Sequence, residues 1–186
     1  RNFFSLLPVI FSFVIPAITM RLISEELNIG SYEILLTMPV TFNDVILGKF
    51  LAAVAFVAAM LIPTFAYPLT VAMLGQLDWG PVVGGYIGAV LLGAAFSAIG
   101  LFASALTRNQ IIAFITAMAI CFILTLIDKM LFFLPNSLLG ILAYLGADFH
   151  FQNISKGIID SRDIFYFLSV CFLGLYAAHL ALQEKH

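Results

Sequence analysis

The stretch Met20–Lys49, MRLISEELNIGSYEILLTMPVTFNDVILGK, decides how the rest of the chain is read. It holds Arg21, Glu25, Glu26, Glu33, Asp44 and Lys49, six of only eighteen charged side chains in 186 residues. Around it the chain is oil-like: uncharged runs cover 2–20, 50–77, 79–107, 109–127 and 164–183. Each reaches the roughly 18–20 residues that a helix needs to cross a ~30 Å hydrocarbon layer. The 63% hydrophobic content, the 19 Phe and a mean hydropathy of +1.12 all depart from soluble domains, where about a quarter of residues are charged.

Lipid offers no water to backbone N–H and C=O groups, so runs of this length must be helices; barrel strands would alternate and be about half as long. The expected fold is all-α: a polytopic membrane helix bundle forming one transmembrane domain over 1–186, with spans near 3–20, 48–74, 82–106, 111–128 and 164–182. A formal charge of −2 gives no basic surface for nucleic acid. Cys121 and Cys171 both fall inside spans, where cysteine acts as a small apolar residue rather than a disulfide partner. The 2–20 run is too long for a signal peptide and lacks a small-residue cleavage site. A chain starting on Arg1 rather than Met leads to the expectation of a further element before it.

Within the quoted stretch, the local signals are those of ordered structure. Leu22, Ile23 and Leu27 on one side, with Glu25 and Glu26 away from them, describe a short amphipathic helix that Gly30 terminates. Ser31 can cap a second short helix, with Glu33 in its first turn and Pro39 closing it. Thr41-Phe42-Asn43-Asp44 has the spacing of a capping box and opens the next long helix. The island is helix, turn, helix, turn: a shaped lever between the first two spans.

Elsewhere, Pro8 and Pro16 should bend the first span without ending it, and Trp79 suits an interfacial loop between the second and third. In the third span Gly84/Gly88, Ala89/Gly93/Ser97 and Gly100/Ser104 recur at helical spacing, which suits close packing among the chain's own helices. The apolar part of 129–163 is broken at Pro135-Asn136-Ser137 into halves too short to cross, as in a re-entrant or interfacial helical pair, a complete extra span being the weaker alternative.

Catalytic chemistry has no foothold. His150, His179 and His186 are too scattered for a metal signature, and His179 reads as a packing or interface residue. Gly48-Lys49 lacks the upstream glycine of a phosphate-binding loop, and no nucleophile elbow is present. The spans are almost empty of ionisable groups, each of which costs at least about 2.5–3.5 kcal/mol mid-bilayer and is kept by ion-coupled carriers for function. Energy for any uphill transport must therefore come from another chain. Orientation is undecided by charge: Arg21, Lys49, Arg108 and Lys185 balance Arg1, Lys129, Lys156 and Arg162.

Pro16-Ala17-Ile18-Thr19-Met20-Arg21, Glu25-Glu26, Gly30-Ser31-Tyr32-Glu33, Leu35-Leu36, Pro39 and Leu47-Gly48-Lys49 together resemble ABC-2 type permeases, nearest the gliding-motility and nitrous-oxide-reductase-maturation branch. The likeness continues through Gly100-Leu101-Phe102, Ser104 and the His150/Gly157/Asp160 region. Ser31 stands where that family more often has Thr, and both can cap. The resemblance implies an ABC-2 exporter-type bundle, with five spans here of an expected six. It also implies a bacterial inner-membrane, multi-pass permease working as a homo- or heterodimer with ABC ATPase subunits. ATP and Mg would be bound by that partner and none by this chain. It makes 21–49 a cytoplasmic coupling segment, in which Arg21, Glu25, Glu26, Gly30, Ser31, Glu33, Pro39 and Lys49 meet the ATPase. The 129–163 segment then lies outside the cytoplasm. A non-transporting membrane anchor or assembly platform for partner proteins is the alternative from a different class.

Overall fold

The computed structural model describes residues 2–31, 34, 41–75, 78–130, 145–157 and 160–184, with no strand among them. In chain order the helices are α1 (Asn2–Thr19), α2 (Ser24–Ile29), α3 (Phe42–Leu61), α4 (Ala66–Leu74), α5 (Trp79–Leu106), α6 (Gln110–Met130), α7 (Ala147–Ser155) and α8 (Ser161–Gln183). A 3-10 turn, Pro63–Phe65, joins α3 to α4. Glu33, Pro39 and the helical pair expected around Pro135-Asn136-Ser137 lie outside the described residues.

Among the described residues, five segments are long and apolar enough to cross a membrane: Phe4–Ile29, Phe42–Leu74, Trp79–Leu106, Gln110–Ile127 and Ser161–Gln183. These are the five runs read from the sequence, with the first extended to Ile29, the fifth starting at Ser161, and the second and third starting earlier than expected. The second begins at Phe42 rather than near 48, because the cap and the apolar run are one continuous helix. Thr41 Oγ1 accepts from Asp44 N–H at 3.3 Å, and Asp44 Oδ2 accepts from Thr41 N–H at 3.0 Å, closing both arms of the capping box. The third begins at Trp79, which opens the helix instead of sitting in a loop, since Asp78 Oδ1 accepts from Gly80 N–H at 3.1 Å. Pro8 and Pro16 are carried inside α1, whereas Pro63 stops α3.

Burial separates one span from the others. In its most apolar window α5 is 72% buried, against 22% for the second, fourth and fifth spans. It is the axis of the bundle, packed on α1, α3, α6, α7 and α8. Small side chains make this possible. A Cβ on Gly93 would fall 2.6 Å from Val57 Cγ1, one on Gly88 3.2 Å from Phe151 and Ile154, and one on Gly100 would overlap Thr19. A Cβ on Gly174 of α8 would fall 2.9 Å from the Ala98 backbone. The main core gathers Leu7, Phe11, Ile15, Val57, Leu92, Phe96, Phe151 and Phe167 around this axis. Outward, Leu51, Phe56, Ile111, Ile115, Phe165 and Phe172 remain exposed, as side chains facing lipid do.

Candidate coupling elbow

The turn after α1 and helix α2 form an elbow at the end of the bundle where α3 begins and α5 and α8 end. Its inner face is apolar: Ile23 and Leu27 are buried with Ile46, Leu101, Ala105, Ala178 and Leu182 from the neighbouring spans. His179 lies alongside, its ring edge-on to Phe42 at 6.4 Å, in a packing role.

The first N–H groups of any helix lack partners within it. Here they find one on a distant element. The Ser104 hydroxyl of α5 accepts from Ile23 N–H at 3.1 Å and Ser24 N–H at 2.9 Å, and donates to Met20 C=O at 2.9 Å. Ser24 Oγ also donates to Met20 C=O. Ser104 is fully buried, so no water competes for these bonds.

A second tie comes from α3. Lys49 Nζ lies 2.6 Å from Glu26 Oε1 and also donates to Leu22 C=O. The resemblance offered Glu26 and Lys49 to a partner; the structure turns them toward each other. The side chain of Lys49 is only 18% exposed, and a lysine so placed is stabilised by the nearest carboxylate and carbonyl within its own chain. Glu26 Oε2 is buried without a hydrogen-bond partner.

Gly30 ends α2 with φ 79° and ψ 4°, donating its N–H to Glu26 C=O at 3.0 Å. This left-handed cap is the geometry in which glycine replaces other residues at little cost. The elbow's outer surface carries Arg21, Asn28 and Gly30, all exposed, with Glu25 and Ser31 half-buried. Two large apolar side chains also stand out from it, Ile29 at 70% and Ile34 at 65% exposure.

At the opposite end of the bundle the structure gathers polar residues that sequence reasoning left apart. His150 Nδ1 on α7 is 2.6 Å from Asp163 Oδ1 on α8, and both are almost fully buried. The His150 ring stacks on Tyr166 at 4.1 Å, and the Tyr166 hydroxyl donates to Leu145 C=O at 2.7 Å. Gln152 Nε2 donates to buried Asp148 Oδ2 at 3.1 Å. The available signal was the density of ionisable residues flanking a short turn in so apolar a chain. Among the described residues, no group of three or more His, Cys, Asp or Glu gathers to hold a metal.

A family model described as ABC-2 family transporter protein matches residues 2–180. The chain belongs to the ABC-2 transporter family. No curated protein matches the sequence of this ABC-2 protein. Membership makes it a permease component of an ABC transporter and a multi-pass membrane protein, a part that is not itself catalytic. Gly84, Gly88, Gly93, Ser97, Gly100 and Ser104 of this ABC-2 permease are all buried on α5. Ser104 goes beyond packing, as its three hydrogen bonds reach the elbow.

Proposed function

We propose that this permease couples ATP hydrolysis by partner ABC ATPase subunits to substrate movement, in the direction of export, and that residues 21–49 are the cytoplasmic seat for the ATPase. The observation that supports this reading most is the two-sidedness of the elbow. Its inner face is fastened to the spans through Lys49 and Ser104, while Ile29, Ile34 and Arg21 project outward. Ile29, exposed at the end of the capped and braced α2, and Ile34, exposed beyond Gly30, suit burial against a protein partner. Arg21 and Glu25 supply the polar rim, and Gly30 fixes the direction of the outer segment. ATP and Mg belong to the partner in this scheme. A second permease copy completes the complex in the bacterial inner membrane in this scheme, with membership of the gliding-motility and nitrous-oxide-reductase-maturation branch as part of the same proposal.

The experiment is co-purification of the tagged permease from its native membrane with an ABC ATPase, scored by subunit and by ATPase activity. Gly30→Pro should abolish both, since proline cannot adopt φ 79° and removes the N–H that caps α2. Glu26→Lys should weaken both by placing a second cation against Lys49. Undiminished complex and coupled activity in both variants would refute the docking role.

A further inference from the structure

We infer that Ser104 is a positioning residue that clamps the elbow to α5, so that α5, rather than only the two spans flanking the elbow, receives its displacement. For its functional sense this rests on the coupling role proposed above. The clamp itself stands on geometry. A single hydroxyl has one proton and two lone pairs, and Ser104 uses all three, toward Met20 C=O, Ile23 N–H and Ser24 N–H. The bonds span the corner where α1 stops and α2 starts, the point about which the elbow would otherwise pivot. One helical turn away Gly100 is pressed on Thr19, with no room for a Cβ between them. Sliding of the corner along α5 is thus blocked by contact, and lifting is opposed by hydrogen bonds made out of reach of water.

What α5 carries follows from its own packing. From Ser104 it continues without a break to Trp79 at the far end of the bundle. There Gly84 and Gly88 lie directly against Ile154 and Phe151 of α7, and Gly157, at φ 84°, rests on the Gly80–Pro81 backbone. The 22 residues from Val83 to Ser104 amount to about 30 Å of rigid helix. The elbow at one end and α7 at the other are therefore fixed to the same rod, and a movement imposed on the first is delivered to the second.

The test uses the full chain in lipid nanodiscs with Cys121 and Cys171 replaced by alanine. Spin labels go on Asn28→Cys in the elbow and Val83→Cys on α5, both exposed positions. A narrow distance distribution is expected in the parent and a broad one after Ser104→Ala. In the same variant, amide exchange at Ile23 and Ser24 should accelerate about tenfold while α5 is unaffected. Ser104→Thr, which keeps the hydroxyl, should restore the narrow distribution. An unchanged distribution and unchanged exchange in Ser104→Ala overturn the clamp. Should Ser104→Thr prove unable to fold, the paired Ala readouts decide alone. Co-purification with the ATPase is scored in parallel: its absence in the parent with the spin-label result intact refutes the coupling reading and leaves the clamp standing, and the converse refutes the clamp.

Discussion

At the scale of single residues, the structure concentrates its consequences at a few buried polar atoms and close approaches. His150 and Asp163 face each other across α7 and α8 with almost no exposure, so removing Asp163 takes a hydrogen-bond partner from a buried imidazole. Asp163→Ala is expected to cost about 1–3 kcal/mol, the loss of a buried hydrogen bond, read as a fall in the thermal unfolding midpoint in detergent. An unshifted midpoint would contradict the pairing. Gly100 makes the opposite kind of demand, for space. Gly100→Ala forces a methyl group onto Thr19 and should destabilise by about 1–3 kcal/mol, whereas adding Thr19→Ala should recover most of the loss. A double-mutant cycle checks this, and strict additivity would show that the two residues are not in conflict.

At the scale of elements, two local devices and two distant ties define the elbow. Gly30 and the Thr41–Asp44 box are local, and both were legible in the sequence because caps depend on residues within a few positions. Thr41→Ala should loosen the start of α3 by about 1 kcal/mol, visible as faster amide exchange over residues 42–45 with the helix interior unchanged. The ties through Lys49 and Ser104 were not legible in this form. Lys49 lies 23 positions from Glu26 and Ser104 lies 80 from Ser24, so no periodicity links them. The sequence pattern assigned Glu26 outward with Glu25, since charge beside an apolar stripe ordinarily means solvent. A lysine one helix away reverses that for Glu26. Lys49→Met should release α2 from α3, raising amide exchange over residues 24–29, while Ser104 continues to hold the corner.

At the scale of the whole molecule, the bundle is an axial helix wrapped by spans whose outer faces remain apolar. The elbow and the His150–Asp163 pair sit at opposite ends of that axis, so they face opposite sides of the membrane. The coupling role then makes a topological prediction. Asn28→Cys should react with a membrane-impermeant maleimide only in inverted vesicles, and Met73→Cys, 87% exposed at the far end of the second span, only in intact cells. The reverse pattern would exclude a cytosolic ATPase at the elbow.

The sequence by itself determined five spans among the described residues, their approximate limits, and the caps at Gly30 and Thr41–Asp44. The reason is that lipid compels each segment to satisfy its backbone internally, which makes span formation a local matter. The choice of α5 as the axis was foreshadowed only by its glycines, since all five runs are similarly apolar. Which carbonyl Ser104 reaches, which carboxylate Lys49 takes and which histidine meets Asp163 were decided by tertiary structure alone. Those pairings depend on which helices become neighbours, and neighbourhood is set by packing summed over the whole bundle rather than by any stretch of chain.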